Sequence, residues 1–479
     1  MTLREVFNKR ARGSVSVFFV LLLSLILSLL FALHAGIRKS TCELQIEYAM
    51  NASMNAVFAE YHRQLLEQYD LLAIDTSYGT GTFEVQNTAE HLRRYMQDNF
   101  GGEKDLLGMT AADAEVLGVT RLTDGNGRVF EKQVINYMHT LTGLPEWESS
   151  NGQAEEYERQ DREIPMDSLW QQAGEELSAQ ELPQIQNETG EWETVSLENP
   201  ADAVASLRSL GILRLTVEDL DSISNASLEQ GKRVSDRSLR QETENMVVYG
   251  EPLAADKLLF KEYLFQKMGC YTRIKENSAL KYQLEYLLNG DPDDYTNLEK
   301  TANKLCMLRF LLNYQFLSGN PIKKAEIKAT AAALTAVTLK PELEPFVSRT
   351  LMFAWAYVES VQDVKQLLAG GKIPWEKTDA DWQTQLVHLA EFNKHLSQNE
   401  GGRGMDYVKY LQIFVCLTAD ETLAKRAMDL VESDIQQTPG NEKFQLDGCV
   451  IRLDAGVSVE DGAQAYFIRR KFSYETMEK

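Results

Sequence analysis

The chain has 479 residues, 49 Lys+Arg against 71 Asp+Glu, a formal charge of -22 and a hydrophobic fraction of 44%. That apolar share excludes global disorder, and the acid excess leaves no basic surplus for neutralising phosphates, which excludes nucleic acid as a partner. The length allows two or three structural units around a large core, and the soluble-looking mean hydropathy of -0.32 averages over one very different segment near the N-terminus.

Residues 13–37 are 25 positions without a charged side chain, counting His34 as neutral, where a helix needs about 20 to cross a bilayer. Fifteen of the residues from 14 to 33 are Leu, Ile, Val or Phe. At about -0.3 to -0.6 kcal/mol each, insertion is favoured by roughly -5 to -9 kcal/mol. Residues 14–36 are therefore read as a transmembrane helix behind a basic leader, residues 1–13. The leader carries Arg4, Lys9, Arg10 and Arg12 against Glu5, whereas Arg38 and Lys39 after the span are followed by Glu43 and Glu47. The positive-inside bias puts the N-terminus in the cytoplasm and the rest outside the cell membrane, as a single-pass protein. A cleavable secretory signal is the competing reading. Its apolar region is usually about 7–15 residues long, and the best exit here, Leu33-His34-Ala35, has Leu where a small residue belongs. A third reading starts from Arg10-Ala11-Arg12-Gly13, the layout of a type IV prepilin leader, with processing between Gly13 and Ser14. Phe18 departs from that pattern, which has Glu there. Within the span, Ser24 and Ser28 share a face and allow close helix approach.

Beyond the span, Ile46, Met50, Met54, Val57, Tyr61 and Leu65 follow helical spacing. This predicts an amphipathic stalk helix over 37–68, continuous with the span. Residues 69–145 read as a small α/β unit: a short buried strand over 69–75, a turn over 77–82, a strand over 111–123 and a helix over 128–141. Residues 146–228 read as an acidic insertion, disordered or extended. From 146 to 198 there are fifteen acids, two arginines and no lysine, so -13 of the total charge lies there. Its aromatics Trp147, Tyr157, Trp170 and Trp192 are candidates for contact with a partner or wall material; a solvated spacer is the plainer reading. Residues 229–440 read as helical, with amphipathic segments over 258–268, 280–288, 297–317, 345–368, 380–396, 405–417 and 421–437. Residues 441–479 hold two period-two segments, 444–455 and 466–474, read as strands that pair with those before the insertion. The fold class is α+β, mostly helical, with a long N-terminal helix and a small antiparallel sheet in the head.

Motifs that would carry chemistry are weak. Gly370-Gly371-Lys372-Ile373 lacks the first Gly and the Ser or Thr of a phosphate loop and reads as a helix cap. His388, Glu391 and His395 fall on one helical face, but not at the His spacing of a zinc helix. Asp70 and Asp75 bracket the expected strand and read as caps. Five cysteines without a Cys-x-x-Cys form no disulfide framework, though one bridge remains open. The expectation is a protein that is not an enzyme, with no cofactor and no metal.

Several stretches resemble known proteins. Arg12-Gly13-Ser14-Val15-Ser16-Val17-Phe18 resembles the start of TadE/TadG-type pseudopilins. Ala56-Val57-Phe58-Ala59-Glu60-Tyr61, the stretch from Tyr69 to Thr76, Lys281-Tyr282-Gln283-Leu284-Glu285-Tyr286 with Leu287 to Gly290, Ala354-Trp355-Ala356-Tyr357-Val358-Glu359-Ser360, Leu367 to Lys372, and Arg426-Ala427-Met428-Asp429-Leu430-Val431-Glu432 are similar to a domain-of-unknown-function family of Gram-positive membrane proteins from Tad (tight adherence) pilus loci. The resemblance covers nearly the whole chain except the acidic insertion. It implies a structural, pilin-like accessory component of a Tad-type (type IVb-like) pilus or secretion apparatus at the cell surface. The implied partners are the lipid bilayer, pilin or pseudopilin subunits and Tad membrane platform proteins. The alternative is a membrane-tethered binding or adhesion protein that enters no filament.

Overall fold

A computed structural model describes residues 3–100, 107–141, 148–163, 166–178, 185–186, 192–193, 204, 208, 210–240, 250, 252–337, 341–391, 394, 396 and 402–474, the first twelve of them by backbone alone. In chain order the elements are α1 (Leu3–Phe58), α2 (Arg63–Tyr69), β1 (Ile74–Asp75), α3 (Val85–Asp98), β2 (Thr110–Arg121), α4 (Arg128–Thr140), α5 (Glu148–Glu163), α6 (Met166–Ser178), β3 (Ile185–Gln186), β4 (Trp192–Glu193), α7 (Ile212–Thr216), α8 (Ala254–Lys267), α9 (Gln283–Asn289), α10 (Asp294–Gly319), α11 (Pro321–Val337), α12 (Glu344–Leu368), α13 (Tyr407–Leu417), α14 (Asp420–Gln436), β5 (Cys449–Glu460) and β6 (Ala465–Ser473). The α+β, mostly helical architecture is the one expected. The chain forms two compact units: unit 1 is 1–124, 240–248 and 443–479, and unit 2 is 125–239 and 249–442.

Unit 1 is built on a small antiparallel sheet. β5 is its centre, paired with β2 on one edge and with β6 and the short β1 on the other. The strands before the acidic segment and those of the C-terminus thus meet in one sheet, the pairing expected from the sequence. β6 runs back along β5 from Ala465 opposite Glu460 to Ser473 opposite Arg452. The reversal at 461–464 is set by Asp461, whose Oδ1 accepts the N–H groups of Ala463 (2.9 Å) and Gln464 (2.7 Å), with Gly462 supplying a left-handed φ of 79°. Alternate residues of β5, Leu453, Ala455, Val457 and Val459, join a core closed by α3 and by Cys42, Ile46, Met50, Met54 and Val57 of α1.

The stalk helix ends sooner than periodicity suggests. α1 stops at Phe58 and α2 starts after His62. Tyr61 bridges to Ile74, and the His62 N–H donates to Ala73 O at 2.8 Å. Backbone pairing therefore competes with the helix at 59–62 and wins. The His62 ring then caps α2 by accepting the Leu65 N–H at 3.2 Å. The expected strand over 69–75 shrinks to Ile74–Asp75, because Tyr69 closes α2 and Asp70 takes its left-handed cap (φ 53°).

Unit 2 is helical. α12 is apolar on most of its circumference and is buried on most of it, packed by α10 and α11. Residues 148–163 and 166–178, expected as extended or unstructured, are the helices α5 and α6. Trp170 of α6 packs edge-on against Phe310 (centroids 5.2 Å apart), with the Arg208 guanidinium 4.6 Å over its ring. That indole is spent on the unit's own core. Trp147 and the side chain of Trp192 lie outside the described residues. Of the helix expected over 380–396, the described residues 380–391 form only a short 3-10 segment at Leu386–Glu391. The N–H groups of Gln383 and Thr384 are instead drawn to the Glu359 carboxylate, at 3.0 and 2.9 Å.

Candidate functional site

The two halves of α1 differ in kind. Every described residue from Val15 to Ile37 is exposed, Phe31 to 69% and Ile37 to 67%. From Cys42 onward one face is buried, through Ile46, Ala49, Met50, Ser53, Met54, Val57 and Phe58. The first half is long and apolar enough to cross a membrane, a test that an N-terminal signal sequence also meets. An uncovered surface of this composition has no favourable partner in water.

A polar collar marks the change. Arg38, the first charge after the apolar run, donates through Nη2 to Leu107 O and to Asp461 O, both at 3.1 Å. Its Nε lies 3.7 Å from Asp461 Oδ2. One turn further, the Cys42 thiol points at the same carboxylate, 3.8 Å away. The N–H groups of Ala463 and Gln464 hold the Asp461 carboxyl below its ordinary range, and Arg38 adds to this. Burial and the nearby Asp461 push the Cys42 thiol up, so it is an inert core group. The hairpin turn and the Leu107 segment are thus fastened to the helix where its apolar half ends.

The serines predicted to pack in the membrane lie on the bare half. Ser24 Oγ donates to Leu21 O and Ser28 Oγ to Leu25 O, both at 2.8 Å. Their hydroxyls are satisfied within the helix, leaving only small side chains on that face. Ala32, Gly36 and Ser40 continue the spacing of four, along a shallow groove rimmed by Leu29, Leu33, Ile37 and Leu44. Gly13 and Ser14 fall within α1, where their side chains lie outside the described residues.

At the far end of the packed half, Glu60 accepts the Tyr95 hydroxyl (2.6 Å) and contacts His91 Nδ1 (2.9 Å). The His91 ring lies 4.0 Å from that of Tyr78. Tyr78 has a φ of 47°, unusual for a bulky residue, and burial pushes its hydroxyl far up. Its hydroxyl lies 3.3 Å from Thr88 Oγ1. The cluster is closed on itself and clamps the turn after β1 onto α3.

In unit 2 the titratable groups are buried in networks. Arg309 donates to Asp363 Oδ2 (2.9 Å), to the carbonyls of Pro374 and Trp375 (both 3.0 Å) and to the Tyr410 hydroxyl (3.1 Å). Lys377 joins Asp363 (2.5 Å) to Glu359. Burial pushes the Asp363 carboxyl up, but Lys377 and Arg309 outweigh it and hold it below its ordinary value. Glu285 differs. Its Oε1 accepts the Tyr271 N–H (2.9 Å) and the Tyr407 hydroxyl (2.7 Å), while Oε2 is buried without a hydrogen bond. With no cation bonded to it, burial raises its carboxyl to about 7, against those two bonds. Neighbouring carboxylates of α14 fasten loops: Asp429 accepts Ser235 and Tyr286, and Asp434 accepts Ala279, Gln283 and Lys275.

These arrangements hold chain segments together; none places a nucleophile beside a base at an open cleft. Among the described residues, no group of three or more His, Cys, Asp or Glu is placed to hold a metal ion. Gly370 and Gly371 close α12, with Gly371 N–H donating to Gln366 O at 2.8 Å. His388 and Glu391 lie in the 3-10 segment, and His395 lies outside the described residues. Asp75 caps the turn at Ser77. All five cysteines are free thiols. Sequence reasoning missed the collar and the buried networks. The Asp461-Gly462 turn signal was available, but its contact with residue 38 spans most of the chain.

Residues 190–461 match the model of a family of unknown function (DUF5702). The match enters the acidic segment at 190, which the resemblance had left out, and does not take in residues 1–189. No curated protein and no solved structure matches.

Proposed function

The chain belongs to the family of unknown function DUF5702, and from that premise and the form of its first helix we propose that it is a pilin-like accessory component of a Tad-type (type IVb-like) pilus or secretion apparatus of Gram-positive bacteria. In this reading the basic leader stays in the cytoplasm and residues 14–36 cross the bilayer. The head, from the Arg38 collar outward, stands at the cell surface. The observation that carries it is the division of α1, one helix whose first half is bare and apolar and whose second half walls the core of unit 1. A helix that anchors and also organises the head transmits position from the membrane to the head without a linker. The face with Ser24 and Ser28 suits lateral packing against the apolar helices of pilin or pseudopilin subunits, since small side chains let backbones approach. The flanking charges described above support the orientation.

The test is the mass of the mature chain from native membranes, with photo-crosslinking from position 28. A chain starting at Ser14 and crosslinked to a small apolar pilin subunit is expected. A start at Met1 without such a crosslink turns the reading into the membrane-tethered binding protein. A start near Gly36 removes both.

A further inference from the structure

The sheet of unit 1 has two outer strands, and they are finished differently. On the β2 side, polar side chains take up outward-facing backbone groups. Gln97 Oε1 accepts the Ala111 N–H at 2.8 Å, and Asp113 Oδ1 accepts the Ala114 N–H at 2.9 Å. Gln86 Nε2 reaches Ala114 O at 3.5 Å.

Among the described residues the β6 side has no such cover. The hydrogen-bonded register between β5 and β6 is fixed at both ends: Asp461 N–H donates to Gln464 O, and Tyr474 N–H to Ile451 O, both at 3.1 Å. In an antiparallel ladder bonded pairs alternate with unbonded ones. The odd-numbered residues of β5 therefore bond the even-numbered residues of β6. The N–H and C=O groups of Phe467, Arg469 and Lys471 face away from β5. Among the described residues none of these groups has a hydrogen-bond partner.

The side chains of the same three residues stand on the exposed face of the sheet. Phe467 is 57% exposed and lies across Gly456, whose missing side chain makes room for the ring. Arg469 and Lys471 share one carboxylate, Asp454, at 2.6 and 3.5 Å. Two cations on one anion leave a positive edge; Arg470, between them in sequence, turns its half-buried side chain to the other face. Such a pair of cations, in a chain of charge -22, discourages neutral strands from adding to the edge and favours acidic ones. A second copy of β6 is disfavoured, because pairing it with itself would set Arg469 and Lys471 against their own kind.

We propose that the outward edge of β6 at Phe467, Arg469 and Lys471 is a docking site for an acidic extended segment of a partner protein, which adds to the sheet as a further strand. Its backbone bonds to Phe467, Arg469 and Lys471. Its carboxylates, on alternate residues and so on one face of the added strand, lie beside Arg469 and Lys471. Strand addition draws affinity from the backbone and selectivity from alternate side chains. The inference rests on unit 1 alone and is independent of the pilus reading.

The test uses the full chain in lipid nanodiscs and two short probe peptides, alternating Val-Glu and alternating Val-Lys. The Val-Glu peptide is expected to bind and to slow hydrogen exchange at the amides of Phe467, Arg469 and Lys471. Arg469→Glu with Lys471→Glu should weaken it about tenfold or more and favour the Val-Lys peptide. Phe467→Pro removes an outward N–H without touching the ladder to β5. It should abolish binding while the exchange of Val457 and Val459 stays slow. Equal binding of both peptides, no binding of either, binding without protection at the three amides, or protection there from self-association without peptide would each overturn the proposal.

Discussion

Unit 1 and unit 2 bury different chemistry. The core of unit 1, from Cys42 and Met50 on the helix to Val457 and Val459 on the sheet, is apolar, and its buried charges, such as Arg121, Asp447, Asp454 and Asp461, each keep a little exposure. Unit 2 buries Arg309, Asp363, Glu359, Glu285, Asp429 and Asp434 without any exposure. A helix against a sheet closes one apolar layer by shape alone, and period is enough to specify it. Helices joined by long irregular loops leave many backbone groups to satisfy, and buried carboxylates satisfy them. Unit 2 is thus held in register by charge as much as by packing.

The contrast can be tested in solution because no tryptophan falls within the residues of unit 1, while the described side chains of Trp170, Trp355, Trp375 and Trp382 belong to unit 2 and report on it by fluorescence. The largest effect is expected from Arg309→Met, which strips Asp363 and two carbonyls of a buried partner. It should cost about 3–5 kcal/mol by denaturant unfolding followed at the tryptophans. A cost below about 1 kcal/mol would show that the network is replaceable by packing and that the units do not differ in kind. Next is Met50→Ala, a cavity in unit 1, with an expected cost of about 2–4 kcal/mol. It should speed exchange at Val457 and Val459 and leave the tryptophan transition in place. An equal shift of both would mean that the two cores unfold together.

The smallest effect sharpens the comparison within unit 2. Glu285 is raised to about 7 in the fold, above its unfolded value, so the folded state binds the extra proton between them. Stability therefore falls as pH rises from about 4.5 to about 7 and is flat beyond, by about 3 kcal/mol in all. Asp363, held low by its cations, acts with the opposite sign at lower pH. Glu285→Gln should remove the loss measured between about pH 4.5 and about pH 7. An unchanged slope would assign it to another group.

Several of the stretches carrying the family resemblance prove to hold these buried polar residues. Glu285 and Tyr286 stand in one, Glu359 and Ser360 in another, Asp429 and Glu432 in a third. They were legible as marked positions, yet their partners were not, since Tyr286 meets Asp429 across 143 residues. The helices of 148–178 were missed for a related reason. Their acidic surfaces obscure the few apolar contacts, such as Ala154, Leu169, Trp170 and Ala173, that dock them.

The sequence by itself determined the apolar span, its amphipathic continuation as far as Val57 and the extended character of the C-terminal segments. Each rests on an apolar run or a local period of 3.6 or 2 that one stretch of chain displays. Only the tertiary structure decided where α1 breaks, that Arg38 is fastened to Asp461, that Glu359 draws the Gln383 and Thr384 N–H groups away from the helix expected there, and that among the described residues the outward backbone groups of Phe467, Arg469 and Lys471 in β6 lack a partner. Each of these depends on a backbone or charged group finding, or lacking, a partner far away in the chain, and local periodicity carries no record of distant partners.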